Sequence, residues 1–150
     1  MKLLTNVQIQ RSVRWCSIIF FILYLSYLIY LTLLDHTYGR QLLNRSINII
    51  PFKTILQYLI NPSSIRATII NIAGNIVAFI PMGFLLPMIS NKCKDFKVSI
   101  LIIIIATMTI EILQYITGVG ASDIDDLLLN TLGGILGYLI YKHVASKLFA

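Results

Sequence analysis

Four long apolar runs, each able to cross a hydrocarbon layer of about 30 Å as a helix, leave this chain little freedom in what it can fold into. They fall at roughly 15–34, 65–89, 98–117 and 124–143. Across the 150 residues, 57% are hydrophobic and 12% charged. Soluble domains carry about 25% charged residues, and a fold of this size has too much surface to leave so apolar. An ordinary cytosolic enzyme, a disordered tail and a nucleic-acid-binding domain are thereby excluded. The net charge of +6 does not restore nucleic acid as a partner, because the basic residues sit in short flanks beside the apolar runs. The expected class is all-α: a polytopic membrane protein forming a single domain over 1–150, with no repeat and no linker.

The run from Trp15 to Leu34 is uncharged, lacks a small-residue cleavage site and is too long for a signal-peptide core, so it reads as a retained span. Lys2, Arg11 and Arg14 precede it, Lys92, Lys94 and Lys97 separate spans two and three, and Lys142 and Lys147 close span four. These eight cations face four on the other side: Arg40, Arg45, Lys53 and Arg66. The positive-inside rule then predicts two cytoplasmic termini, with the loop from Asp35 to about Ser64 and the turn before span four outside. Within that loop, Phe52, Ile55, Leu56, Leu59 and Ile60 recur at helical spacing after Pro51 and before Asn61-Pro62. This predicts a short amphipathic helix, either lying at the membrane interface or packed on the bundle.

Polar side chains inside spans must meet one another, the backbone or a cavity, because lipid offers no hydrogen bonds. In span two, Asn71, Gly74, Asn75 and Ala78 form one stripe, which serves either helix packing or a site. Span three carries Glu111, about 9 Å from Thr117 along the axis, with Gln114 and Tyr115 on the same face. A carboxylate at that depth is expected to be protonated, paired or hydrated; a bond to Asn71 or Asn75 is its structural reading. Span four opens with Asp123, Asp125 and Asp126, and Asp126, Asn130, Gly133 and Gly137 continue as a polar and small stripe. One acidic residue there suits helix capping, and three in four exceed what a cap needs. The three stripes are expected to converge on a single outer polar cavity lined by Asn71, Asn75, Glu111, Gln114, Asp123, Asp125, Asp126 and Asn130, with Arg66 placed to pair with a carboxylate.

No metal or cofactor is expected. His36 and His143 are far apart, Cys16 and Cys93 form no CxxC, and a capped helix start accounts for the aspartates better than Ca²⁺ or Mg²⁺ does. No Ser–His or Cys–His pair and no Gly-x-Ser-Gly is present, and Ala121 stands where a Gly-x-Gly-Asp aspartate would be.

The strings Asn48-Ile49-Ile50-Pro51-Phe52, Asn71 to Pro87, Glu111-Ile112-Leu113-Gln114 and Asp123 to Gly134 resemble the VanZ-like family of bacterial membrane proteins, in order and over most of 20–142. Many relatives carry Arg-Ser where this chain reads Gly120-Ala121-Ser122, so any role of that arginine does not transfer. The resemblance implies the bacterial cytoplasmic membrane, and its eponymous member is linked to resistance to teicoplanin, a lipid-bearing glycopeptide. The function expected from it is non-catalytic binding at the outer membrane face, tied to glycopeptide resistance or envelope maintenance. The ligands expected are membrane lipid, a lipid-linked cell-wall precursor or the antibiotic. The alternative is an intramembrane hydrolase or transferase using Glu111 with Asp125 or Asp126. Whether the chain is an enzyme stays open at this level.

Overall fold

The computed structural model describes residues 2–34, 47–60, 65–119 and 121–148. Five helices carry the fold: α1 (Lys2–Ile29), α2 (Lys53–Ile60), α3 (Ile65–Ile89), α4 (Phe96–Thr117) and α5 (Ile124–Leu148). A π-helical turn, Tyr30–Leu34, extends α1, and a 3₁₀ turn, Asn91–Lys94, joins α3 to α4. Two two-residue strands, β1 (Ile47–Asn48) and β2 (Ser122–Asp123), pair in parallel, Ile47 opposite Ser122 and Asn48 opposite Asp123. The chain is all-α as expected, with this bridge as its single β feature among the described residues.

Three helical stretches are long and apolar enough to cross a membrane: Gln8–Leu34, Ile65–Ile89 and Phe96–Thr117. The helix of the first begins well before Trp15, because Lys2–Arg14 are helix-compatible residues that continue the same element. The second matches its expected bounds, and α3 runs on through Pro81 and Pro87. The third starts where Asp95 accepts a hydrogen bond from the Val98 N–H. It ends at Gly118, whose φ of 69° lets its N–H and that of Val119 turn back onto the carbonyls of Tyr115 and Gln114. Helix α5 has the length of a span at 25 residues, but Asp125, Asp126, Asn130, Lys142 and His143 dilute its apolar character.

The bundle is inside out by the standards of a soluble protein. Ser99, Thr107, Glu111, Gln114, Asp123, Asp125 and Asn130 are buried, while Ile19, Phe20, Leu23, Leu101, Ile105 and Ile112 are exposed. A solvent that rewards apolar contact and cannot bond polar groups selects that arrangement. The apolar core, around Phe79, Met82, Ile103 and Ile110, is small.

Close approach of α3 and α5 replaces it. A Cβ on Gly133 would overlap the Ile76 carbonyl, one on Gly137 the Ile80 carbonyl, and one on Gly83 the Gly134 carbonyl. The Gly133-x-x-x-Gly137 spacing is therefore a contact surface, with Gly83 completing it from the other side. Gly74, which the sequence groups with Asn71 and Asn75, has open space where its side chain would be and packs against nothing. The face that α3 turns to α5 is set by the helix crossing, which a stripe of small residues does not reveal.

Helices α4 and α5 are antiparallel. Asn130 Nδ2 donates to Thr107 Oγ1 at 2.8 Å, and Tyr138 Oη donates to the Lys94 carbonyl at 2.6 Å, its ring meeting Phe96 edge-on at 5.3 Å. Helix α1 packs antiparallel to α3, with Ser17 Oγ donating to Met88 Sδ at 3.9 Å and Tyr24 Oη to the Ala78 carbonyl at 2.8 Å. The C-terminal ends of α1 and α4, the N-terminal ends of α3 and α5, and the segment 47–60 thus gather at one end of the bundle. Arg11, Arg14, Lys92, Lys94, Lys97 and Lys142 gather at the other.

Candidate functional site

The acidic end is built around Asp125, which is fully buried. Its carboxylate accepts from the main-chain N–H groups of Phe52, Thr54 (2.7 Å) and Ile55 (3.1 Å). Those are the orphan donors at the start of α2, so a side chain more than seventy residues away in sequence caps this helix. The expected helix after Pro51 is present, but it begins at Lys53. Phe52 adopts a left-handed φ of 64°, which bends the chain so that its N–H points at the carboxylate. Asn61-Pro62, expected as the stop, lies outside the described residues, as does most of the loop from Asp35 onward.

Asp123 ties the same segment down from the next position. Its Oδ1 accepts from Asn48 Nδ2 at 2.8 Å and from the Asp125 N–H at 2.9 Å, the latter being the N-cap bond of α5. Its Oδ2 accepts from Thr54 Oγ1 at 2.6 Å, and Asn48 Nδ2 also donates to Thr54 Oγ1 at 3.1 Å. The main-chain N–H of Asp123 in turn donates to Glu111 Oε2 at 2.8 Å. Glu111 therefore spends one oxygen on the turn that opens α5. Asn71 sends its amide back to the Ala67 carbonyl of its own helix at 2.9 Å.

Three further predicted residues tie α1, α3, α4 and α5 together. Asn75 Nδ2 donates to Asp126 Oδ1. Gln114 Nε2 donates to the Thr32 carbonyl at 3.0 Å, inside the π-helical turn that ends α1. Asn130 holds Thr107, and its Oδ1, like Thr131 Oγ1, is buried with no hydrogen-bond partner. Arg66 stands exposed in the first turn of α3. No group of three or more His, Cys, Asp or Glu among the described residues is disposed to hold a metal ion.

Asp126 differs from its neighbours in being only half-buried. Tyr58 of α2 lies within its field. Burial first, then the negative charges of Asp126 and Asp123, push the Tyr58 phenol above its ordinary pKa of 10. Thr68 Oγ1 on α3 donates to the Tyr58 carbonyl at 3.2 Å, which fixes α2 over the start of α3. The accessible part of the site is thus a carboxylate beside an amide and a neutral phenol. Its rigid part is the pair Asp123 and Asp125, whose oxygens are taken up by the 48–55 backbone and side chains. Asn48, Thr54, Tyr58 and Thr107 were not singled out by sequence reasoning as site residues. For Asn48 the available signal was its place in a string shared with relatives, and for the others none was available.

A family model described as VanZ/LLP1 matches residues 21–147. The chain belongs to the VanZ/LLP1 family. A relative, Protein VanZ of Enterococcus faecium, is 38% identical over 77 residues, covering 49% of this chain and 47% of that protein. The chain thus matches about half the length of this curated relative. No solved structure matches. As a VanZ/LLP1 protein with three strongly apolar helices, it is a multi-pass membrane protein. The segments by which it resembles the VanZ-like family are those that build the acidic end: Asn48 to Phe52, the stretch around Asn75, Glu111 to Gln114, and Asp123 onward.

Proposed function

We propose that this protein is a four-span VanZ-like protein of the bacterial cytoplasmic membrane whose acidic end faces outward and binds a lipid-linked envelope precursor or a glycopeptide such as teicoplanin without chemical change. The name of its relative and membership of the VanZ/LLP1 family support the link to glycopeptides. The single observation that carries the binding reading is the half-buried Asp126, flanked by Asn75 and Tyr58 on a scaffold pinned by Asp123 and Asp125. Amide, carboxylate and phenol together suit a ligand rich in peptide and hydroxyl groups. With α5 counted as a fourth span, the clustering of cations at the opposite end supports cytoplasmic termini. Helix α2 then lies at the outer interface, with Phe52, Leu56, Leu59 and Ile60 exposed toward acyl chains and Tyr58 toward the site.

Catalysis through Glu111 with Asp125 or Asp126 is the weaker reading. Asp125 has three main-chain donors on its carboxylate, so its oxygens are committed to the start of α2 rather than open to a substrate. The test is teicoplanin susceptibility of cells carrying the wild type, Asp126→Asn or Glu111→Gln at matched membrane abundance. The proposal expects protection by the wild type and its loss in Asp126→Asn. Unchanged susceptibility on both deletion and overexpression contradicts it.

A further inference from the structure

Residues 47–60 close the acidic end over the first turns of α3 and α5, and they are attached differently from the helices beneath them. No residue of the segment is buried: Asn48, Thr54, Ile55 and Tyr58 are half-buried and the rest are exposed. Its inward positions are mostly polar, while Ile49, Phe52, Leu56, Leu59 and Ile60 stay outside the bundle. Lifting such a segment opens no apolar core. Among the described residues, it breaks the bridge to Ser122 and Asp123 and the hydrogen bonds to Asp123, Asp125 and Thr68. These bonds stand at one end of the bundle, where water can replace them, so the net cost of each is modest.

Phe52 favours lifting. A bulky residue at a φ of 64° is strained, and the strain persists only while its N–H is drawn to the Asp125 carboxylate. Release returns Phe52 to an ordinary conformation. The far end stays attached, because four residues of sequence separate Ile60 from Ile65. A strained hinge, a short tether and a polar underside are the parts of a lid. We propose that residues 47–60 open as one unit from Asp123 and Asp125 while α3, α4 and α5 stay packed, and that this opening admits ligand to Asp126 and Asn75. The opening stands on the contacts of the segment itself; the admission of ligand rests on the binding function proposed above.

The test uses the full chain in detergent, with Cys16 and Cys93 replaced by alanine. Ile47 and Ser122 are opposite partners in the bridge, so Ile47→Cys with Ser122→Cys can be oxidised to a disulfide that pins the N-terminal end of the lid, and reductant frees it. Main-chain hydrogen exchange is followed by NMR. In the reduced protein the N–H groups of Phe52, Thr54 and Ile55 are expected to share one protection factor and to exchange at least about a hundredfold faster than those of buried Phe79 and Leu129. Oxidation is expected to slow all three at least about tenfold. Phe52→Ile puts a β-branched residue at the left-handed position and is expected to speed Thr54 and Ile55 at least about threefold, with Phe79 unchanged. Exchange no faster than at Phe79 overturns the lid, as does an unchanged rate in Phe52→Ile. A rate that oxidation leaves unaltered also overturns it, since that marks fraying of the α2 start alone. Teicoplanin binding is then titrated in both redox forms and is expected to be at least about tenfold weaker when oxidised. Equal binding overturns the admission of ligand through the lid. Binding in neither form contradicts the glycopeptide reading instead, and the exchange rates still decide the lid.

Discussion

At the scale of single residues, the acidic end divides into carboxylates that hold backbone and one that is left partly accessible. Asp125→Asn replaces an acceptor-only group facing three main-chain donors by one with a donor of its own, so it is expected to cost about 2–3 kcal/mol. Thermal unfolding in detergent reads the loss, and hydrogen exchange places it at residues 52–55. Asp126→Asn, at a half-buried site, is expected to cost less than Asp125→Asn. The same change removes one of the charges that raise the Tyr58 pKa, so the phenol titrates closer to 10, followed by NMR of ¹³C-labelled tyrosine. The sign follows from linkage: the folded state keeps the Tyr58 proton after the unfolded chain has lost it, so its contribution to stability is full below pH 10 and declines above it. Thr131→Val removes a buried hydroxyl that has no partner and keeps its shape, and is expected to raise stability slightly. A fall in the unfolding temperature of that variant contradicts the assignment.

Between elements, the contact of α3 with α5 rests on main chain meeting main chain, so its glycines are not equivalent. Gly83→Ala and Gly137→Ala drive a methyl group into a facing carbonyl and are expected to separate the two helices, with losses of several kcal/mol. Gly74→Ala enters open space and gains helix propensity, so it is expected to be neutral or stabilising by up to about 1 kcal/mol. A set of unfolding temperatures for the three variants decides between these outcomes. Sequence periodicity put Gly133 and Gly137 in a small-residue stripe that does pack closely and Gly74 in a stripe of α3 where its missing side chain meets open space, because spacing identifies a face and not what that face meets. The bounds of α3 were legible from its apolar length alone. The start of α2 was not: Pro51 pointed to a helix beginning there, and the left-handed Phe52 depends on a carboxylate brought in from α5. Long-range bonds of this kind leave no periodic trace. That polar side chains within the spans would bond to one another or to main chain was legible, because lipid offers them no hydrogen bonds. Their division into structural and accessible groups was not, since it depends on which donors the 48–58 segment brings.

For the whole molecule, an acidic end built by residues 48–126 and a basic end built by Arg11, Arg14 and the 92–97 turn stand at opposite ends of the same helices. The proposed function requires the acidic end to lie outside the cell. In a background with Cys16 and Cys93 replaced by alanine, a cysteine is placed at exposed Gln57 in α2 or at exposed Asn91 in the turn between α3 and α4. Intact cells are then treated with a membrane-impermeant maleimide. The account predicts labelling of Gln57→Cys in intact cells and of Asn91→Cys only after permeabilisation; the reverse pattern contradicts it.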